Sequence, residues 1–195
     1  MHTFSRTDFL DTAAFQKCRT EKQKEIMALK ESRRVAVGPF AMFYFECFDT
    51  LWWQIQEMLR VEGGGEAQLE EELSAYTPLL PQGSDFRVTL MLEIPDATER
   101  LSVLKLLGGI EQKIELHIGN TCVTAVPLDP EENRTTADGK TSAVHFIRFP
   151  LLSPEKASFL QSTPPAIFLQ ITHPHYTFRS EIPKKMVQEL QKDLL

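Results

Sequence analysis

Between Val35 and Cys47 the chain reads VAVGPFAMFYFEC, thirteen positions that carry a single charge. A membrane span needs about 20 apolar residues, so a run this short must be sheltered inside a fold. Its Val, Phe and Tyr content predicts a buried strand, with Gly38-Pro39 as an interruption or bulge. A chain organised around such a strand needs a sheet and a covering layer of helices.

The flanking segments supply that layer. Positions 11–34 contain no Gly or Pro and predict a long, exposed amphipathic helix with Phe15, Met27 and Leu29 as its few apolar contacts. Its Lys17, Arg19, Lys22, Lys24, Lys30, Arg33 and Arg34 are interspersed with Glu21, Glu25 and Glu31, the mixed pattern of a solvated face. After the apolar run, Asp49 is placed to cap a helix in which Leu51, Trp52, Ile55, Met58 and Leu59 recur at three and four residues. Gly63 to Gly65 end it, and a second helix from Glu66 to Tyr76 is expected to pair with it antiparallel.

The rest of the chain reads mainly as strands. Phe86, Val88, Leu90, Leu92 and Ile94 alternate with Arg87, Thr89, Met91 and Glu93, and Ile114, Leu116 and Ile118 alternate with their neighbours up to Gly119-Asn120, a tight-hairpin signal into 121–126. Positions 96–107 have helical spacing, 127–141 form a polar surface loop, and strands follow at 143–149, 166–172 and 176–182. A short helix capped by Ser153 and a last helix opened by Pro183 complete the pattern. The expectation is an α+β fold: an antiparallel or mixed sheet of about six strands covered by helices, with a long N-terminal helix. One domain is expected over 1–195, with 1–34 as a helical arm and 35–195 as the body.

Charge and cysteine usage narrow the function. A net charge of −6 is the wrong sign for neutralising phosphates, which argues against nucleic acid as a partner. Cys18, Cys47 and Cys122 are scattered and odd in number, so a reducing compartment fits best, and with no membrane-length run or apolar leader a cytoplasmic location is expected. Cys47 and Cys122 fall in apolar strands and read as core residues, leaving Cys18 as the more reactive thiol.

No dinucleotide, phosphate-loop, nucleophile-elbow or zincin motif occurs, so no catalytic residue is assigned and no cofactor is evident. Glu46 draws attention because it closes an apolar strand, where a carboxylate is either desolvated or paired. Thr50, Gln54, Glu57 and Arg60 follow along one face of the next helix, so Glu46, Thr50, Gln54, Glu57 and Arg60 are the candidate ligand-binding set. The plainer expectation is a buried ion pair between Glu46 and a nearby Arg beside a solvated helix face. His173 and His175 are the candidate ligands for a divalent metal, one residue apart around Pro174, with His117 and His145 as the remaining strand imidazoles. Trp53 falls on the polar side with Thr50 and Glu57, where it suits either a partner contact or packing on the first helix.

Several of these residues together carry a resemblance. The run Arg34 to Phe40, then Phe45-Glu46, Thr50, Gln54 to Arg60, Glu93-Ile94-Pro95, Gly108 to Glu111, Ser142-Ala143-Val144, Phe149-Pro150 and His173-Pro174 with Tyr176 is similar to a bacterial family, domain of unknown function 3501. The resemblance covers nearly the whole chain. It implies no activity, but members tend to be encoded near rubrerythrin-like and iron–sulfur oxidoreductase proteins. The expectation that follows is a cytosolic accessory or protein-interaction module that serves a redox system and docks through the first helix and the Trp53 side. The alternatives are a small metal-dependent enzyme built on Glu46 and Glu57 or on His173 and His175, and a small-molecule sensor with a pocket lined by Phe40, Met42, Tyr44 and Glu46.

Overall fold

The computed structural model describes residues 3–63, 65–161 and 163–195. The apolar run from Val35 to Cys47, expected as one interrupted strand, folds as a hairpin of β1 (Arg34–Val37) and β2 (Ala41–Phe45), with Val37 opposite Ala41. The reversal occurs at Gly38, whose φ of +74° is a conformation that L side chains rarely adopt. The turn is pinned from outside by Tyr176, whose hydroxyl donates to the Val37 carbonyl (2.8 Å) and accepts from the amides of Phe40 (2.9 Å) and Ala41 (3.0 Å).

Around this hairpin the strands divide into two sheets. The first adds β3 (Asp85–Leu92), β6 (Val126–Pro127) and β7 (Val144–Pro150) in the order β1-β2-β3-β7-β6. The second consists of β4 (Ile114–Ile118), β5 (Thr121–Thr124), β8 (Ile167–His173) and β9 (Tyr176–Glu181) in the order β5-β4-β8-β9. Every pairing between described strands is antiparallel. In β2, β4, β7 and β8 buried residues alternate with less buried ones, and the buried faces of the two sheets meet in one hydrophobic core that includes Phe43, Phe45, Val88, Leu116, Ile147 and Leu169. The α+β class is as expected. The nine described strands need two sheets because each presents one apolar face, and those faces cover one another.

The helices are α1 (Thr12–Ser32), α2 (Phe48–Glu62), α3 (Gly65–Tyr76), α4 (Ala97–Leu106), α5 (Ser153–Phe159) and α6 (Lys184–Leu190). Asp11 caps α1 by accepting from the Ala14 amide (2.8 Å). The N-cap of α2 is Cys47, not Asp49, because the Thr50 hydroxyl reaches back to accept from the Cys47 amide (3.0 Å). Leu152 rather than Ser153 caps α5, with no side-chain bond to the helix. Gly63 ends α2 in the left-handed conformation, while Gly64 in the middle of the triplet lies outside the described residues.

The first helix is less exposed than its charge suggests. Phe15 and Ile26 are buried with Trp53, whereas Met27 faces solvent. Trp53 is only 8% exposed and meets the Phe15 ring edge-on at 5.5 Å, so it is a packing residue between α1 and α2 and not a free docking surface. Among the described residues, no helix is long and apolar enough to cross a membrane.

Candidate functional site

The outward face of the first sheet bears Tyr44 on β2, Thr89 and Met91 on β3, and Val144 and Phe146 on β7. Here α1, α2 and the end of α3 close over it and leave a pocket of about 460 Å³. That volume and its mixed apolar and polar wall are those of small-molecule sites. Met27, Leu51, Leu79 and Tyr76 supply further apolar wall, and Lys30, Glu31 and Arg34 also line it.

Glu46 is one of the residues that line this pocket. The strand that leads to it keeps its backbone paired, with the Glu46 amide donating to the Arg87 carbonyl (2.8 Å), so the side chain is delivered from a fixed frame. One carboxylate oxygen, Oε2, accepts from the Thr50 hydroxyl and the other, Oε1, from the Thr89 hydroxyl, both at 2.7 Å. Each oxygen keeps a further acceptor position. Among the described residues, no Lys, Arg or His lies within ion-pair distance of this carboxylate.

The expected ion pair between Glu46 and an arginine is therefore not formed among the described residues, and the buried guanidinium of Arg33 is used differently. Arg33 is 2% exposed and bonds the main chain at the end of β2: its Nε donates to the Phe45 carbonyl (2.9 Å) and its Nη2 to the Glu46 carbonyl (3.1 Å). Its charge is met by the carboxylates of Asp193 and Glu189 at the C-terminal end of the chain. The arrangement ties three elements to the backbone that carries Glu46.

Burial pushes the Asp193 carboxyl up to about 6, against the pull of the Arg33 guanidinium. An unfolded Asp titrates near 4, so the folded state binds this proton more tightly. The stability this group supplies is fully present below about pH 4 and is lost as pH rises through about 6. Urea unfolding from acid to neutral pH is expected to show the wild type losing stability relative to Asp193→Asn across that window. Parallel curves for the two proteins would contradict the assignment.

The other candidates divide. Gln54 lines the pocket, and burial together with the nearby carboxylates of Glu72, Glu46 and Glu62 pushes the neighbouring Tyr76 phenol up. Glu57 and Arg60 do not line the pocket. Glu57 is bonded by Arg19 on α1 (2.7 Å and 3.0 Å) and by Arg60 (2.9 Å), a bridge that holds α1 against α2 and keeps the Glu57 carboxyl low. The residues on the helix face beyond Gln54 are thus structural, because the face turns from the sheet toward α1. Of the aromatic wall expected beside Glu46, Tyr44 is present, while Phe40 packs near Tyr176 instead (ring centroids 6.3 Å) and Met42 is not among the lining residues.

The His173 and His175 rings lie 5.9 Å apart by their centroids, and both His173 nitrogens already have partners. The buried His173 ring is committed at both nitrogens, with Nε2 donating to the Gly108 carbonyl (3.2 Å) and Nδ1 accepting from the His175 amide (3.3 Å). His145 is buried too, bonded through Nε2 to the Ser142 carbonyl (2.9 Å), and burial pushes its imidazole down. Of the cysteine expectations, the core position of Cys122 is overturned: Cys122 is exposed, whereas Cys18 and Cys47 are both half-buried. Thr89, Tyr76 and Arg33 are among the pocket residues that the sequence does not single out. Thr89 lay on the outward phase of its strand and was open to recognition, whereas no local signal brings Arg33 to positions 189 and 193.

The chain matches the family described as Protein of unknown function (DUF3501) over residues 3–194. It is also similar to a solved protein of unknown function from Burkholderia pseudomallei K96243, at 33% identity over 100% of both chains with a TM-score of 0.90. Among curated proteins, none matches this sequence.

Proposed function

The chain belongs to the DUF3501 family of proteins of unknown function, and from that premise we propose that it is a small-molecule-binding module whose ligand sits against Glu46 in the pocket under α1. The observation that carries this reading is a pocket-lining carboxylate held by two threonine hydroxyls, with no Lys, Arg or His within ion-pair distance of it among the described residues, while Lys30 and Arg34 line other parts of the wall. Such a group is matched by a ligand with a protonated amine or other N–H donors. Tyr44, Tyr76, Met91 and Phe146 provide surface for an apolar body attached to that head. Ligand binding gives physical content to an accessory role in the cytoplasm beside a rubrerythrin-like or iron–sulfur system, the setting implied by the family resemblance.

The test is a thermal-shift and calorimetric screen of the wild type and Glu46→Gln against primary amines and amino-acid amides. A wild-type hit is expected to bind Glu46→Gln about tenfold or more weakly, since a hydrogen bond to a charged group contributes roughly 1.5–3 kcal/mol. Hits that bind both proteins equally, or none at millimolar concentration, would reject the assignment.

A further inference from the structure

On the outward face of the second sheet, Glu115 and His117 project from β4 two residues apart, and Cys122 on β5 stands directly opposite His117 in the register. The intervening Gly119-Asn120 turn, with Gly119 at φ +58°, fixes that register. The Nε2 atom of His117 lies 3.0 Å from Glu115 Oε2 and 3.9 Å from Cys122 Sγ, and the three donor atoms lie within 4.8 Å of one another. Among the described residues, this is the one group of three potential metal donors so arranged.

A tetrahedral zinc with the usual Zn–N, Zn–O and Zn–S bond lengths places neighbouring donor atoms about 3.4–3.6 Å apart. The two contacts of His117 straddle that value and the Glu115–Cys122 separation is no more than 4.8 Å, so a cation enters by side-chain shifts of no more than about an ångström. Thiolate, imidazole and carboxylate together are the donor set of zinc and related borderline cations, whereas calcium and magnesium select oxygen alone. Two paired strands carry all three donors, which holds them more rigidly than a loop would.

We infer that Glu115, His117 and Cys122 form a binding site for a divalent cation of the zinc class, with a fourth position left to water. Coordination at Sγ displaces the thiol proton to solvent, and the cation then ties β4 to β5 across the hairpin. The site lies on the opposite sheet from the Glu46 pocket and is independent of it.

Equilibrium dialysis of the full chain with Zn²⁺, and titration with Co²⁺ as a spectroscopic probe, test the inference. The expected result is one cation per chain and a thiolate-to-cobalt charge-transfer band that vanishes in Cys122→Ser. His117→Ala is expected to lose more affinity than the roughly 10- to 100-fold commanded by an outer-shell partner, while His175→Ala binds like the wild type. Absence of the band, its survival in Cys122→Ser, or full affinity in His117→Ala would overturn the site. Metal-free circular dichroism and thermal unfolding of each variant separate loss of metal from loss of fold, with His117→Gln and Cys122→Ala as substitutes should either variant unfold.

Discussion

Replacing Arg33 with Met is expected to lower the unfolding free energy by about 3–5 kcal/mol, the cost of removing one partner from a buried ion pair. The substitution keeps an unbranched side chain in place but leaves the Asp193 carboxyl, itself largely buried, without its cation. It also strips two donors from the Phe45 and Glu46 carbonyls at the end of β2. Asp193→Leu in the Arg33→Met background should recover part of the loss, because replacing a whole buried pair with apolar groups is close to neutral. Urea unfolding of the two variants reads both effects. A loss of under 1 kcal/mol in Arg33→Met would mean that the guanidinium is not structural. The same variant should weaken any ligand of the Glu46 pocket, since Arg33 holds the backbone from which Glu46 projects.

Gly38→Ala is expected to cost about 2–5 kcal/mol in thermal or denaturant unfolding. Two effects add. A left-handed conformation costs an L residue roughly 1–2 kcal/mol, and Gly38 holds φ +74°. The new Cβ would stand 2.6 Å from the Phe178 ring and 2.7 Å from the Tyr176 hydroxyl, and overpacking of this kind costs about 1–3 kcal/mol. The hydroxyl cannot retreat without releasing the Phe40 and Ala41 amides that it accepts. Gly63→Ala is the control, with φ +64° but nothing within 4 Å of its Cβ, so it should carry the conformational cost alone. Equal losses in the two variants would show that the close approach of β9 to the first hairpin contributes nothing.

These two positions mark the boundary between local and tertiary information. Gly38 was recognisable as a break in an apolar run, but whether it made a bulge within one strand or the turn of a hairpin depended on Tyr176, 138 positions along the chain. The pairing of Glu46 with two threonines followed the same division. Thr50, one helical turn on, was legible, whereas Thr89 reaches Glu46 only because β2 and β3 are neighbours in register. For Glu57 and Arg60, helical spacing placed both on a polar face without showing that the face turns toward Arg19 on α1.

The sequence by itself determined the elements: the apolar alternation in β3, β4 and β8, the Gly-Asn hairpin, the helices and their glycine stops, and the α+β class. These follow from local rules, since a strand or helix records its period and its buried face within a few residues. The tertiary structure alone decided that the strands divide into two sheets, that Trp53 is packed rather than exposed, that the Glu46 carboxylate forms no ion pair among the described residues, and that Cys122 faces His117 outside the core. Each of those outcomes depends on which distant surface covers an apolar face or meets a charge, and contacts across that distance leave no periodic trace in the chain.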